Sequence, residues 1–127
     1  LITKKKQLIL IKICYVMTFN NIIFSVVDYR GKLVLFMKQK WQEKQSDHPE
    51  LHKKTFINCI KRAIAEPDEV WEDYQDRKNR RCYYKKYSAT SYSKVVIWIT
   101  SDPCTVVTAF EINYIKESKY PNLKKVR

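Results

Sequence analysis

The sequence predicts an α+β domain: an antiparallel sheet, made of an N-terminal hairpin and a C-terminal three-stranded meander, packed on one main helix. Three observations predict it. Two β-rich runs, IIFSVVDY and KLVLFMK, flank a turn that holds the chain's only glycine, Gly31. An apolar stripe at helical spacing follows, Phe56, Ile60, Ala63 and Ile64, with Pro67 just beyond it. Three further β-rich runs then come in succession, separated by Ser, Thr, Asp and Pro. Strands and helix segregated along the chain in this way suit α+β, not an alternating α/β fold. A length of 127 residues suits one domain.

Each element has a local reason. In Asp28-Tyr29-Arg30-Gly31, Asp opens a turn and Gly closes it in a left-handed conformation, so residues 21–38 read as a β-hairpin. Gln39 to Asp47 read as a short helix that carries Trp41 inward. Pro49 is favoured at a first helical position, which makes His48 the cap and starts the main helix there. That helix runs to about Ala65. Asp68, Glu69, Glu72 and Asp73 read as a solvated, acidic helix start. Cys82–Tyr87, Lys94–Thr100 and Thr105–Ile112 are the three strands of the meander.

Composition narrows the partners. An apolar content of 45% excludes a disordered chain. A single glycine excludes a phosphate-binding glycine loop and a dinucleotide fold. With 25 Lys and Arg against 13 Asp and Glu, the net charge is +12, which favours a polyanion partner. Nucleic acid fits better than a membrane surface because the chain is rich in tyrosine, with nine, and Tyr83, Tyr84 and Tyr87 are surrounded by Arg and Lys. The bland alternative is a solvated basic surface. Cys14, Cys59, Cys82 and Cys104 show no metal-ligand spacing, so they read as buried thiols of a reduced, cytoplasmic compartment, with neither cofactor nor metal expected. Leu8 to Met17 is too short and too interrupted by Lys12 for a spanning helix, and no small-residue cleavage site follows. Residues 1–16 therefore read as an extension outside the fold, 17–116 as the domain, and 117–127 as a basic tail.

Several local patterns occur in a telling order: Asp28-Tyr29-Arg30-Gly31, Trp41, His48-Pro49-Glu50, Pro67-Asp68-Glu69-Val70, Arg81 with Tyr83-Tyr84, Val95-Val96-Ile97, and Val107-Thr108-Ala109-Phe110. This ordered set resembles the phage-type nuclease family of the barnase–EndoU–colicin–RelE superfamily, over about residues 20 to 116. The resemblance implies an α+β nuclease domain that cleaves RNA without a metal, of toxin or phage-effector type. An acidic antitoxin or immunity protein is then a possible partner. Phe110 stands where that family commonly has Tyr, and Cys82 interrupts the basic-aromatic strand.

Metal-independent RNA cleavage needs proton transfer at the 2′-hydroxyl and at the leaving oxygen, plus cations for the charge on phosphorus. Histidine suits the proton transfers. His48 is the candidate; its alternative role is a helix cap, and His52 reads as a surface residue. Arg81 is the candidate cation for the reacting phosphate. Thr108, with Arg81 and His48, completes the candidate catalytic set; its alternative role is an ordinary strand residue. Strand alternation puts Arg81, Tyr83, Lys85 and Tyr87 on one face, so Tyr83, Lys85 and Tyr87 are candidate substrate-binding residues. Their alternative role is the solvated face of an edge strand. Glu111, a second possible base, faces away from Thr108. Two other readings remain: a catalytically silent RNA-binding module of the same fold, and a module that docks an acidic antitoxin.

Overall fold

The computed structural model of the protein describes residues 21–127. The proposed extension 1–16 and the domain start at Met17 lie outside the described residues. The domain is α+β, with strands β1 (Ile22–Val27), β2 (Leu33–Met37), β3 (Glu69–Glu72), β4 (Arg80–Lys86), β5 (Tyr92–Trp98) and β6 (Cys104–Ile112). Helix α1 (Lys38–Lys44), a 3₁₀ turn (Pro49–His52) and helix α2 (Lys54–Ala65) lie between β2 and β3. A second 3₁₀ turn (Lys116–Lys119) follows β6.

The β1–β2 hairpin forms as expected. Gly31 has φ +84°, the left-handed region that favours glycine. A Cβ there would meet nothing within 4 Å, so the conformation alone opposes a side chain. Gly31→Ala is expected to cost about 1 kcal/mol in denaturant unfolding at unchanged m-value. Asp28 organises the turn. Its buried carboxylate accepts hydrogen bonds from the Arg30 and Lys32 amides, from Arg30 Nε at 2.8 Å, and from the Tyr83 hydroxyl at 2.7 Å, 55 residues away.

The sheet is mixed, not antiparallel throughout. Its order is β1-β2-β6-β5-β4-β3. The hairpin joins the rest through a parallel pairing of β2 with β6, at Val34↔Cys104 and Leu35↔Thr105. Antiparallel pairing links β6 to β5, β5 to β4 and β4 to β3. The long crossover between β2 and β6 is what permits a parallel pair, and pairing of runs so distant leaves no trace in local patterning. The acidic stretch forms β3 and is not a helix start. Its Val70 is fully buried, and Glu69 to Glu72 pair with Tyr84 to Arg81. β4 is consequently an inner strand.

Helix α2 begins at Lys54, after a separate 3₁₀ turn at Pro49; the main helix does not run continuously from His48. Phe56, Ile60, Ala63 and Ile64 are buried in one cluster with Phe24, Phe36, Tyr83, Val95, Ile97 and Ala109. Trp41 on α1 packs against this cluster, and its indole N–H donates to the Leu51 carbonyl at 2.8 Å. A smaller cluster on the other sheet face holds Cys82, Tyr84 and Val96, with Trp71, Tyr92, Val107, Ile112 and Ile115 against it.

Residues 117–127, read from sequence as a basic tail, fold back across that second face. Glu117 is buried there against Lys94 and Tyr84, and Leu123 is buried further along the segment. Beyond them the chain lies along β3: the Val126 amide donates to the Val70 carbonyl at 2.7 Å, and Lys125 bridges to Trp71. β3 would otherwise be an edge strand with unpaired backbone groups, and this return covers it.

Candidate active site

His48 sits in the loop between α1 and the 3₁₀ turn. Its amide donates to the Lys44 carbonyl, and Leu51, three residues on, is buried in the main core. Those two ties fix the loop beside β6. The imidazole makes no capping hydrogen bond. It stacks instead on the Phe110 ring of β6, with centroids 4.6 Å apart and planes 15° apart.

Phe110 pairs with Lys94 of β5, and Thr108 pairs with Val96. Because side chains alternate along a strand, Thr108, Phe110, Lys94 and Val96 share the face opposite α2. A register shift at Val96/Ile97 makes Val107 an extra residue. That bulge resets the alternation, so that Thr108 and Phe110 leave the α2 side while Val106 remains in the main core.

Lys94 is almost fully buried. Its ammonium lies 5.5 Å from the centroids of both the Phe110 and the Tyr84 rings and 2.6 Å from the Glu117 carboxylate. The Tyr84 hydroxyl also donates to Glu117. Burial pushes the Glu117 carboxyl up, but hydrogen bonds from Lys94 and Tyr84 and the lysine charge outweigh it and hold the group below its ordinary value. Burial and the same carboxylate push the Tyr84 phenol up. A buried charge needs a partner and hydrogen bonds, and this network provides both. It anchors the floor on which Phe110 and His48 rest.

Beside this floor a surface cavity is lined by Pro49, Glu50, Lys53, Ser91, Glu111, Ile112 and Asn113. Glu50 closes its edge by accepting the Glu111 amide at 2.9 Å. Among the described residues, no three His, Cys, Asp or Glu side chains are grouped so that they could hold a metal ion.

A protein family described as phage-Barnase-EndoU-ColicinE5/D-RelE like nuclease2 (PBECR2) has a model that matches residues 19–127. The chain belongs to this family. No curated protein and no solved structure matches the chain. Family membership makes this a nuclease-type domain of the barnase, EndoU, colicin and RelE kind, and the match runs through the folded-back C-terminal segment.

For a PBECR2 nuclease, the sequence-derived site residues divide between the two sheet faces. His48 and Thr108 are brought to the face opposite α2. Arg81 is not: its guanidinium donates to the carbonyls of Arg77 and Arg80, and its strand position points with Tyr83 to the other side. Tyr83 cannot stack on a base, because it is fully buried under α2 and hydrogen-bonded to Asp28. Lys85 is held by the Glu66 carbonyl at 2.8 Å and by Asp68 at 3.5 Å. Tyr87 lies exposed at the end of that side, edge-on to Phe56. The alternation of this stripe is as read from sequence, but the face it occupies is the helix-covered one. His52 is exposed, edge-on to Trp41. Cys59, Cys82 and Cys104 are free thiols.

Sequence reasoning missed Lys94, Tyr84 and Glu117. The available signal was a charge out of place: Lys94 opens the apolar run KVVIWIT, and Glu117 is the one acid after Tyr114. Among the described residues, no helix is long and apolar enough to cross a membrane.

Proposed function

We propose that this protein is a metal-independent endoribonuclease of toxin or phage-effector type, with His48 as the proton-transferring residue. The observation that carries the reading is the His48 imidazole, uncapped and stacked on Phe110, on the same side as Thr108. An imidazole oriented by a ring, and not spent on a helix cap, is available to a substrate hydroxyl. Thr108 supplies a hydroxyl to a phosphate oxygen. Lys53, in the adjoining cavity, supplies a cation for the charge that develops on phosphorus. The buried Lys94–Glu117 pair takes a positioning role, because both charges are already engaged.

In this scheme the 2′-hydroxyl loses its proton to His48, and its oxygen attacks the adjacent phosphorus as the P–O5′ bond breaks. The 5′-oxygen takes a proton from solvent water and leaves as an alcohol, a 2′,3′-cyclic phosphate remains, and His48 returns its proton to solvent. Purified protein is expected to cleave labelled RNA in EDTA to products with cyclic phosphate ends. It is expected to leave DNA of the same sequence intact, since DNA lacks the attacking hydroxyl. Activity that needs added magnesium, or cleavage of DNA, would reject the scheme.

Two observations favour a silent RNA-binding module as the second reading. Arg81 is directed away from His48, and Phe110 has no hydroxyl to offer. RNA that is bound and never cut in the same assay would select it.

A further inference from the structure

The C-terminal segment runs across the sheet face opposite α2 from one side to the other. It leaves β6 at Asn113. Glu117 then meets Lys94 of β5 and Tyr84 of β4, and the last residues lie along β3. At about 4.8 Å between neighbouring strands, β6 and β3 are roughly 14 Å apart, so the segment is long enough to follow more than one nucleotide.

Its outer surface is basic and aromatic. Residues 113–127 carry five Lys and Arg and one acid, and that acid, Glu117, is buried. Tyr114 is 42% exposed, with the Lys119 ammonium 4.5 Å from its ring centroid. Tyr120 stacks on Tyr74, from the loop after β3, with centroids 5.3 Å apart. Tyr74 is 67% exposed, the most open of the exposed large apolar side chains among the described residues. Lys116, Lys119 and Lys124 are exposed along the same stretch. Exposed rings spaced by cations hold single-stranded nucleic acid, with bases on the rings and phosphates on the lysines.

We propose that this C-terminal strap is a single-stranded RNA track leading to the His48 site, with Tyr74, Tyr114 and Tyr120 as stacking surfaces and Lys116, Lys119 and Lys124 as phosphate contacts. The proposal rests on the endoribonuclease reading for its choice of RNA. Charge complementarity with a polyanion and the open rings of Tyr74 and Tyr114, with the half-buried Tyr120 stacked on Tyr74, argue for it over a folded partner.

The test uses the full chain and a fluorescent 2′-O-methyl oligoribonucleotide of about 12 nucleotides, within the range single-strand-binding folds cover. This probe has no free 2′-hydroxyl and stays intact. Tyr74→Ala is expected to weaken binding about 10-fold, the loss of one stacked base. Tyr74→Phe keeps the ring and is expected to bind as the wild type. The Lys116→Gln, Lys119→Gln double variant is expected to flatten the salt dependence of log Kd by roughly 1.4, two contacts at about 0.7 each. Thermal unfolding of each variant checks that the fold is intact. Unchanged affinity in Tyr74→Ala with an unchanged salt slope would overturn the track and leave this surface to an acidic protein partner. A wild type that does not bind the probe would also overturn it. Cleavage of ordinary RNA is scored separately: strap-dependent binding without cleavage keeps the track and rejects the endoribonuclease, and cleavage with strap-independent binding does the reverse.

Discussion

Replacing His48 with alanine is expected to lower the rate of RNA cleavage by ~10²–10⁴, the usual loss when a residue that transfers a proton is removed. Folding should change little. The side chain makes no cap hydrogen bond, and its stack on Phe110 is an aromatic contact of about 1 kcal/mol. The loop keeps its anchors in the Lys44 carbonyl and the buried Leu51. Single-turnover kinetics under EDTA, beside an unfolding curve, separate the two effects. Phe110→Leu keeps an apolar side chain but loses the stack, so it should lower the rate by less than His48→Ala does, acting through the imidazole. Full activity in His48→Ala would move the proton transfer elsewhere, and a variant that fails to fold would show that the stack is structural.

The largest expected effect on stability belongs to Asp28. Its carboxylate receives the Tyr83 hydroxyl, two backbone amides and the Arg30 guanidinium. Asp28→Ala leaves a buried phenol and two amides without an acceptor and is expected to cost about 3–5 kcal/mol. Arg30 is partly exposed and can turn to water, which keeps the loss from being larger. Burial pushes the Asp28 carboxyl up, yet the hydrogen bonds from Tyr83, Lys32 and Arg30 and the Arg30 charge outweigh it and hold it below the ordinary 3.8. A carboxyl depressed in the folded state adds stability that is fully present well above its unfolded value and is lost as pH falls through its folded value. Glu117 is depressed as well, so it adds to the same acid-side loss. Urea titrations from pH 7 down to about pH 2 should therefore show stability falling on the acid side. Asp28→Asn should start lower and fall less steeply. Equal slopes in the two proteins would remove Asp28 from the account.

Much of the fold is legible in local chemistry. The hairpin is written in Asp28 and Gly31, since one residue type seeds the turn and the other alone adopts its positive φ comfortably. The buried face of α2 is written in the spacing of Phe56, Ile60, Ala63 and Ile64. The strands β4 to β6 are written in their apolar and β-branched runs. The start of α2 was misread because Pro49 opens a helical turn of either kind, and His48 does precede one. β3 was misread because its four residues carry two glutamates, and a short strand with acidic flanks has the composition of a helix start.

The sequence by itself determined the class of the fold, the family-like order of motifs and the basic character that points to a polyanion. It also determined that Arg81, Tyr83, Lys85 and Tyr87 share a face, because alternation is a property of the strand alone. Only the tertiary structure decided which face that is. A strand's two sides are equivalent until a helix covers one, and α2 covers the Tyr83 side. The parallel β2–β6 pair, the return of the C-terminal segment along β3 and the meeting of Lys94 with Glu117 were likewise decided in three dimensions. Each joins residues far apart in the chain, where no local periodicity records the partner. His48 and Phe110 are the sharpest case: 62 positions separate them in sequence, and a bulge in β6 beside a 3₁₀ turn stacks one ring on the other.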